Sequence, residues 1–129
     1  MAPPRRRIVD APTRRLPPQL QAVRVVVEAD TDPDASYLDA CELSERRESF
    51  RRGEFEFLRV RAEAEVLIEG TVQTLTSPGL SSIESDLDAK DVDQVMGEEW
   101  SALRGVLKAV GVPTKQLPLE YERSWVTRR

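Results

Sequence analysis

The sequence predicts an α+β domain, and two patterns carry that expectation. From Leu58 to Ile68 every second residue is apolar (Leu58, Val60, Ala62, Ala64, Val66, Ile68), and the residues between are Arg59, Arg61, Glu63, Glu65 and Leu67. A period of two over this length marks a strand with one buried and one wet face. From Asp88 to Val110 the spacing changes to threes and fours, with Val92, Val95, Met96, Trp100, Leu103, Val106, Leu107 and Val110 on one stripe, as an amphipathic helix requires. Together they predict a small antiparallel sheet of three to four strands, with a central hairpin over 55–76, packed against one long C-terminal helix at 88–110.

The remaining elements follow in chain order. Residues 1–20, MAPPRRRIVDAPTRRLPPQL, hold five prolines and five arginines without periodicity, which predicts a disordered arm ahead of a single domain at 21–112. Gln21 to Glu28 reads as a Val-rich strand with Val23, Val25 and Val27 on one face. Asp30, Asp32 and Asp34 share the spacing that opens a calcium loop. Ala35 and Cys41 then occupy the glycine and bidentate-glutamate positions, so turn and cap chemistry ahead of a helical turn at Tyr37-Leu38 is the better reading. Ser44 to Arg52 reads as a short helix, with Ser44 as N-cap and Gly53 as its left-handed stop. Its Arg46, Arg47, Arg51 and Arg52 are either a phosphate-facing patch or a solvated face with local ion pairs.

Glu69-Gly70 closes the hairpin. A two-residue turn sets Ala64 opposite Leu75 and Val66 opposite Gln73, whereas a three-residue loop brings Val72 and Thr74 to the buried face; the pattern leaves both open. Ser77-Pro78-Gly79 is expected to turn the chain again, with Leu80 to Ser85 as a short third strand and Ile83 inward. In the long helix, Asp88 is the expected cap and Gly111-Val112-Pro113 the stop. Gly97 and Gly105 are candidates for close approach to the sheet. Residues 113–129 form a C-terminal tail whose Leu117, Leu119, Tyr121 and Trp125 either dock on the domain or, with Arg123, anchor a partner.

Composition narrows the chemistry. The chain has 129 residues, is 40% hydrophobic and 33% charged, and contains no histidine and one cysteine, Cys41. That removes histidine-based general bases, Ser-His and Cys-His nucleophile pairs, an internal disulfide and Cys/His metal sites. No phosphate-binding glycine loop or nucleophile elbow is present, so neither an enzyme nor a cofactor is expected. With no apolar run of 18 residues and no signal-peptide core, the expected location is the cytoplasm, without membrane partners.

Charge is the sharpest feature. Arg5, Arg6, Arg7, Arg14 and Arg15 against Asp10 make residues 1–20 carry +4; the net charge of −4 then leaves −8 on the rest. Glu84, Asp86, Asp88, Asp91, Asp93, Glu98 and Glu99 are opposed within their segment only by Lys90. Such a run serves solubility and the helix N-terminus, or imitates nucleic-acid phosphates before a basic groove on a partner, or converges on Mg²⁺ as in a carboxylate-based enzyme, the weakest of the three readings because no phosphate-binding loop or lysine accompanies it. Candidate partner-binding residues are therefore Glu84, Asp86, Asp88, Asp91, Asp93, Tyr121 and Trp125. The five N-terminal arginines are the alternative, a nucleic-acid arm.

The run VRAEAEVLIEGTVQTLTSPGLSSIESDLD, followed by a helix closing on Leu107-Lys108-Ala109-Val110-Gly111, resembles small proteins of actinobacterial phages, prophages and integrated elements. Those often show a Gly-Leu-Trp-Gly-Ile-Glu-Ser-Asp-like block where this chain has Gly79 to Asp86, with Ser81 and Ser82 in place of Trp-Gly. The likeness spans roughly residues 55–112. The family has no assigned activity, so the resemblance implies an accessory or counter-defence setting and no site residues. The resulting expectation is a non-enzymatic protein that binds a host or phage protein, such as a nucleic-acid-binding or CRISPR defence protein.

Overall fold

The computed structural model describes residues 16–126. Its sheet is built from β1 (Gln19–Ala29), β2 (Phe57–Ile68), β3 (Thr71–Thr76), β4 (Leu80–Glu84) and β5 (Glu122–Val126). Among the described residues two helices accompany it, α1 (Ser44–Arg51) and α2 (Ala89–Ala109), with short 3-10 turns at Ser36–Asp39, Cys41–Leu43 and Thr114–Gln116. The α+β class is as the sequence predicts.

The strand order is β3-β2-β1-β5, with β4 also on β2. β1, β3 and β4 run antiparallel to β2, but β5 runs parallel to β1, so the sheet is mixed, not antiparallel, and has five strands. The extra strand comes from the C-terminal segment, whose return path over α2 brings it in beside β1 in the same direction.

The hairpin takes the two-residue turn: Ala64 lies opposite Leu75 and Val66 opposite Gln73. Glu69 (φ 52°) and Gly70 (φ 84°) are both left-handed, the conformation that matches the twist of the flanking strands. Ser77-Pro78-Gly79, by contrast, does not reverse the chain. β3 pairs with the far end of β2 (Thr76 with Glu63) and β4 continues along the same edge (Leu80 with Val60, Ile83 with Leu58). The path from Thr76 to Leu80 holds one residue more than the path opposite it, and so does the path from Leu80 to Ile83: two bulges in one long strand. Gly79 (φ 85°) and Ser82 (φ 59°) absorb them.

α2 packs chiefly across β2. Val25, Val27, Val60, Ala62, Ala64 and Val66 of the sheet meet Val92, Met96, Trp100, Leu103 and Leu107, all buried. The Asp88 carboxylate makes no capping bond; its backbone carbonyl accepts from Asp91 and Val92 instead. Both helices end alike. Gly53 N–H donates to Phe50 and Glu54 N–H to Ser49, and Gly111 N–H donates to Lys108 and Val112 N–H to Leu107, the paired bonds of a Schellman close around a left-handed glycine. Ser44 is the first residue of α1 rather than its cap, because the 3-10 turn at 41–43 leads straight into it. A Cβ at Gly97 or Gly105 would meet nothing within 4 Å, so neither glycine marks a close approach.

On the opposite face of the sheet the chain between β1 and β2 forms a second cluster. Phe57, whose odd-numbered position points away from α2, joins Phe50, Phe55 and Leu38, which gathers all three phenylalanines of the chain. Their ring centroids lie 4.9–5.6 Å apart at tilted or edge-on angles.

Candidate functional site

The acidic run of 84–99 is taken apart by the fold. Glu99 serves the β3–β4 bulge: Oε1 accepts from Ser77 Oγ (2.6 Å) and from Gly79 N–H (2.8 Å), while Ser77 Oγ accepts from Ala62 N–H (2.9 Å). Ser77 is buried, so Glu99 satisfies a hydroxyl that would otherwise lack an acceptor.

Glu84 and Asp86 face Arg46 of α1. The guanidinium forks onto Asp86 with two bonds of 2.9 Å and reaches Glu84 at 2.5 Å, and it lies 4.0 Å over the Phe55 ring. The Tyr37 hydroxyl also donates to Glu84. Arg46 holds the Asp86 carboxyl below the usual carboxylate range, and the two carboxylates raise the Arg46 pKa. Burial first, then the bond to Glu84, pushes the Tyr37 hydroxyl up to about 12. This clamp ties the 36–51 excursion to the end of β4. It was not legible in the sequence, because its members stand 38–47 residues apart.

Asp93 pairs with Arg123 at 2.8 Å, which fastens β5 to α2. Asp88, Asp91 and Glu98 remain exposed, with Glu98 accepting only a 3.2 Å bond from Gln94 one turn earlier. The acidic surface is thus the outward side of the first three turns of α2, smaller than the sequence run.

The C-terminal aromatics divide. Tyr121 packs against Trp100 with ring centroids 5.8 Å apart. Trp125 lies opposite Val27 in the parallel register, which puts it on the α2 side of the sheet, yet it stays 57% exposed because α2 sits over β2 and not over the β5 edge.

Among the described residues the α1 arginines carry no uncompensated positive stripe: Arg47 lies 3.7 Å from Asp39, Arg51 3.2 Å from Glu48 and Arg52 2.8 Å from Glu54. Arg5, Arg6, Arg7, Arg14 and Arg15 lie outside the described residues. Asp30 is buried and bonds Asp32 N–H and Ser82 N–H; Asp34 accepts from Ser36. Asp30 and Asp34 are therefore turn-formers, and no group of three or more His, Cys, Asp or Glu side chains among the described residues could hold a metal ion. No described helix is long and apolar enough to cross a membrane. The bulge leaves a cleft of about 270 Å³ lined by Arg59, Arg61, Thr76, Pro78 and Ser81. Its arginines are bonded to Glu28 and Glu63.

The chain matches no protein-family model, no curated protein and no solved structure. Its class is defined by its own architecture: an α+β protein with a mixed five-stranded sheet, one long helix on one face and an aromatic cluster on the other.

Proposed function

We propose that the protein works by binding a partner protein rather than by catalysis, through the acidic outward side of α2. One observation carries this reading: Asp88, Asp91 and Glu98 stay exposed after the fold has engaged Glu84, Asp86, Asp93 and Glu99, and Lys90 is the sole cation of that stretch. Fixed carboxylates along a helix steer and orient a basic surface. In the phage or mobile-element setting that the sequence resemblance implies, the partner is a cytoplasmic host protein with a basic nucleic-acid groove, a CRISPR effector among the candidates.

The test is capture from host lysate with and without nuclease, using the full chain and an Asp88→Asn, Asp91→Asn, Glu98→Gln variant. None of the three side chains makes a bond that holds the sheet, so the variant stays folded, and the lost charge of Asp88 and Asp91 at the α2 N-terminus costs only about 0.3–1 kcal/mol each. Capture of a nuclease-resistant protein partner by the parent chain, and its loss with the variant, is the expected result. Equal capture by both, or loss of all capture on nuclease treatment, refutes the reading.

A further inference from the structure

The two edges of the sheet differ in a way that has a consequence for self-association. The β3–β4 edge carries two bulges, Pro78 and two left-handed residues, devices that stop another strand from pairing with it. Among the described residues the β5 edge has none of these. Glu122 to Val126 is a regular five-residue strand, paired to β1 on one side and, among the described residues, to nothing on the other. We propose that the β5 edge pairs with the β5 edge of a second copy of this chain, antiparallel about a two-fold axis at Ser124.

The register argues for this occupant. Placing Ser124 opposite its own copy sets Arg123 opposite Trp125 of the other chain, twice, and sets Glu122 opposite Val126. No like charges face each other. Arg123 and Trp125 both stand on the α2 side, where Arg123 is already held by Asp93 (2.8 Å) and lies 5.8 Å from the Tyr121 ring centroid. A tryptophan arriving from the second copy covers the other side of that guanidinium, a cation–π pair, and the half-exposed Trp125 is buried in the same step. The two α2 helices, each over β2, then lie about 24 Å apart across five strand spacings, so they flank the new junction without colliding. A five-residue strand pair is small beside a standard interface, so the dimer belongs to the weak class, with dissociation on the order of tens of micromolar or weaker. This inference is independent of the acidic-surface reading, and a failure of either leaves the other standing.

The experiment follows the full chain from low micromolar to millimolar concentration by sedimentation equilibrium and by residue-resolved amide exchange. The expected result is a mass that rises from one chain to two, with alternate amides of 122–126 gaining protection as it does. Trp125→Ala weakens the association roughly tenfold, because the cation–π contact is lost at both symmetric positions. In a Cys41→Ser background, Ser124→Cys cross-links under mild oxidation and Glu122→Cys does not, since only residue 124 meets itself. A single-chain mass throughout, a dimer whose β5 amides are indifferent to concentration, or equal cross-linking at 122 and 124 overturns the proposal.

Discussion

The two faces of the sheet bury apolar surface by different means. Under α2 the contact is aliphatic but for Trp100: alternate residues of β1 and β2 meet every third or fourth residue of one helix, and Met96, Leu103 and Leu107 are wholly buried. On the other face the strands carry Arg24, Glu28, Arg59, Arg61, Glu63 and Glu65, joined in one chain of ion pairs at 2.8–3.4 Å. Each such pair is worth little by itself. Their aliphatic stems nonetheless cover Val26, which stands on this charged side and is only 4% exposed. Where the charges end, the phenylalanine cluster begins, closed by Arg46 and its two carboxylates. Packing between long regular elements makes the first face one cooperative unit. The second is assembled from short segments held by charge and ring geometry, and such regions open at lower free energy.

The largest test of that contrast is Leu103→Ala, which opens a cavity in the fully buried aliphatic core. It is expected to cost about 2–5 kcal/mol, with fluorescence and circular-dichroism transitions in denaturant shifting together. A loss well under about 1 kcal/mol would show that this face is not the main source of stability.

Arg46→Ala is expected to have a smaller and more local effect. It removes the fork onto Asp86, the bond to Glu84 and the cover over Phe55, at about 1–2 kcal/mol. Amide exchange should quicken over residues 36–54 while β2 and α2 stay protected. Uniform quickening would mean that both faces form one unit.

The smallest effect is confined to extremes of pH. The folded protein holds the Tyr37 proton up to about pH 12, whereas the unfolded chain releases it near the ordinary value of 10.0. Below pH 10 both states are protonated; between 10 and 12 the unfolded state binds fewer protons, so stability falls as pH rises. Tyr37→Phe should flatten that fall in urea titrations, and an unchanged slope would assign it to another group. Asp86 acts in the opposite sense. With its folded pKa lowered, its contribution is present above the ordinary carboxylate range and fades as acid protonates it.

How legible each part was follows from the range of the interactions. The hairpin, β1, α2 and both helix stops rest on neighbours within a few residues, and periodicity plus glycine placement found them. The acidic run misled for the same reason. In sequence Glu84, Asp86, Asp93 and Glu99 stand together with Lys90 as the one cation among them, but their partners Arg46, Arg123 and Ser77 arrive from other elements. Ser77-Pro78-Gly79 has the composition of a turn, yet it is a bulge because Glu99 and the free edge of β2 hold the strand straight on.

By itself the sequence determined the α+β class, the aliphatic face of the sheet, the long helix and where it ends, because those depend on which side chains recur at a period of two or 3.6. Only the tertiary structure decided that β5 joins in parallel, that the phenylalanines gather on the far face, and which carboxylates remain displayed to solvent. β5 meets β1 98 residues away, and the carboxylates meet their partners 20 to 47 residues away, separations at which no local pattern encodes a contact.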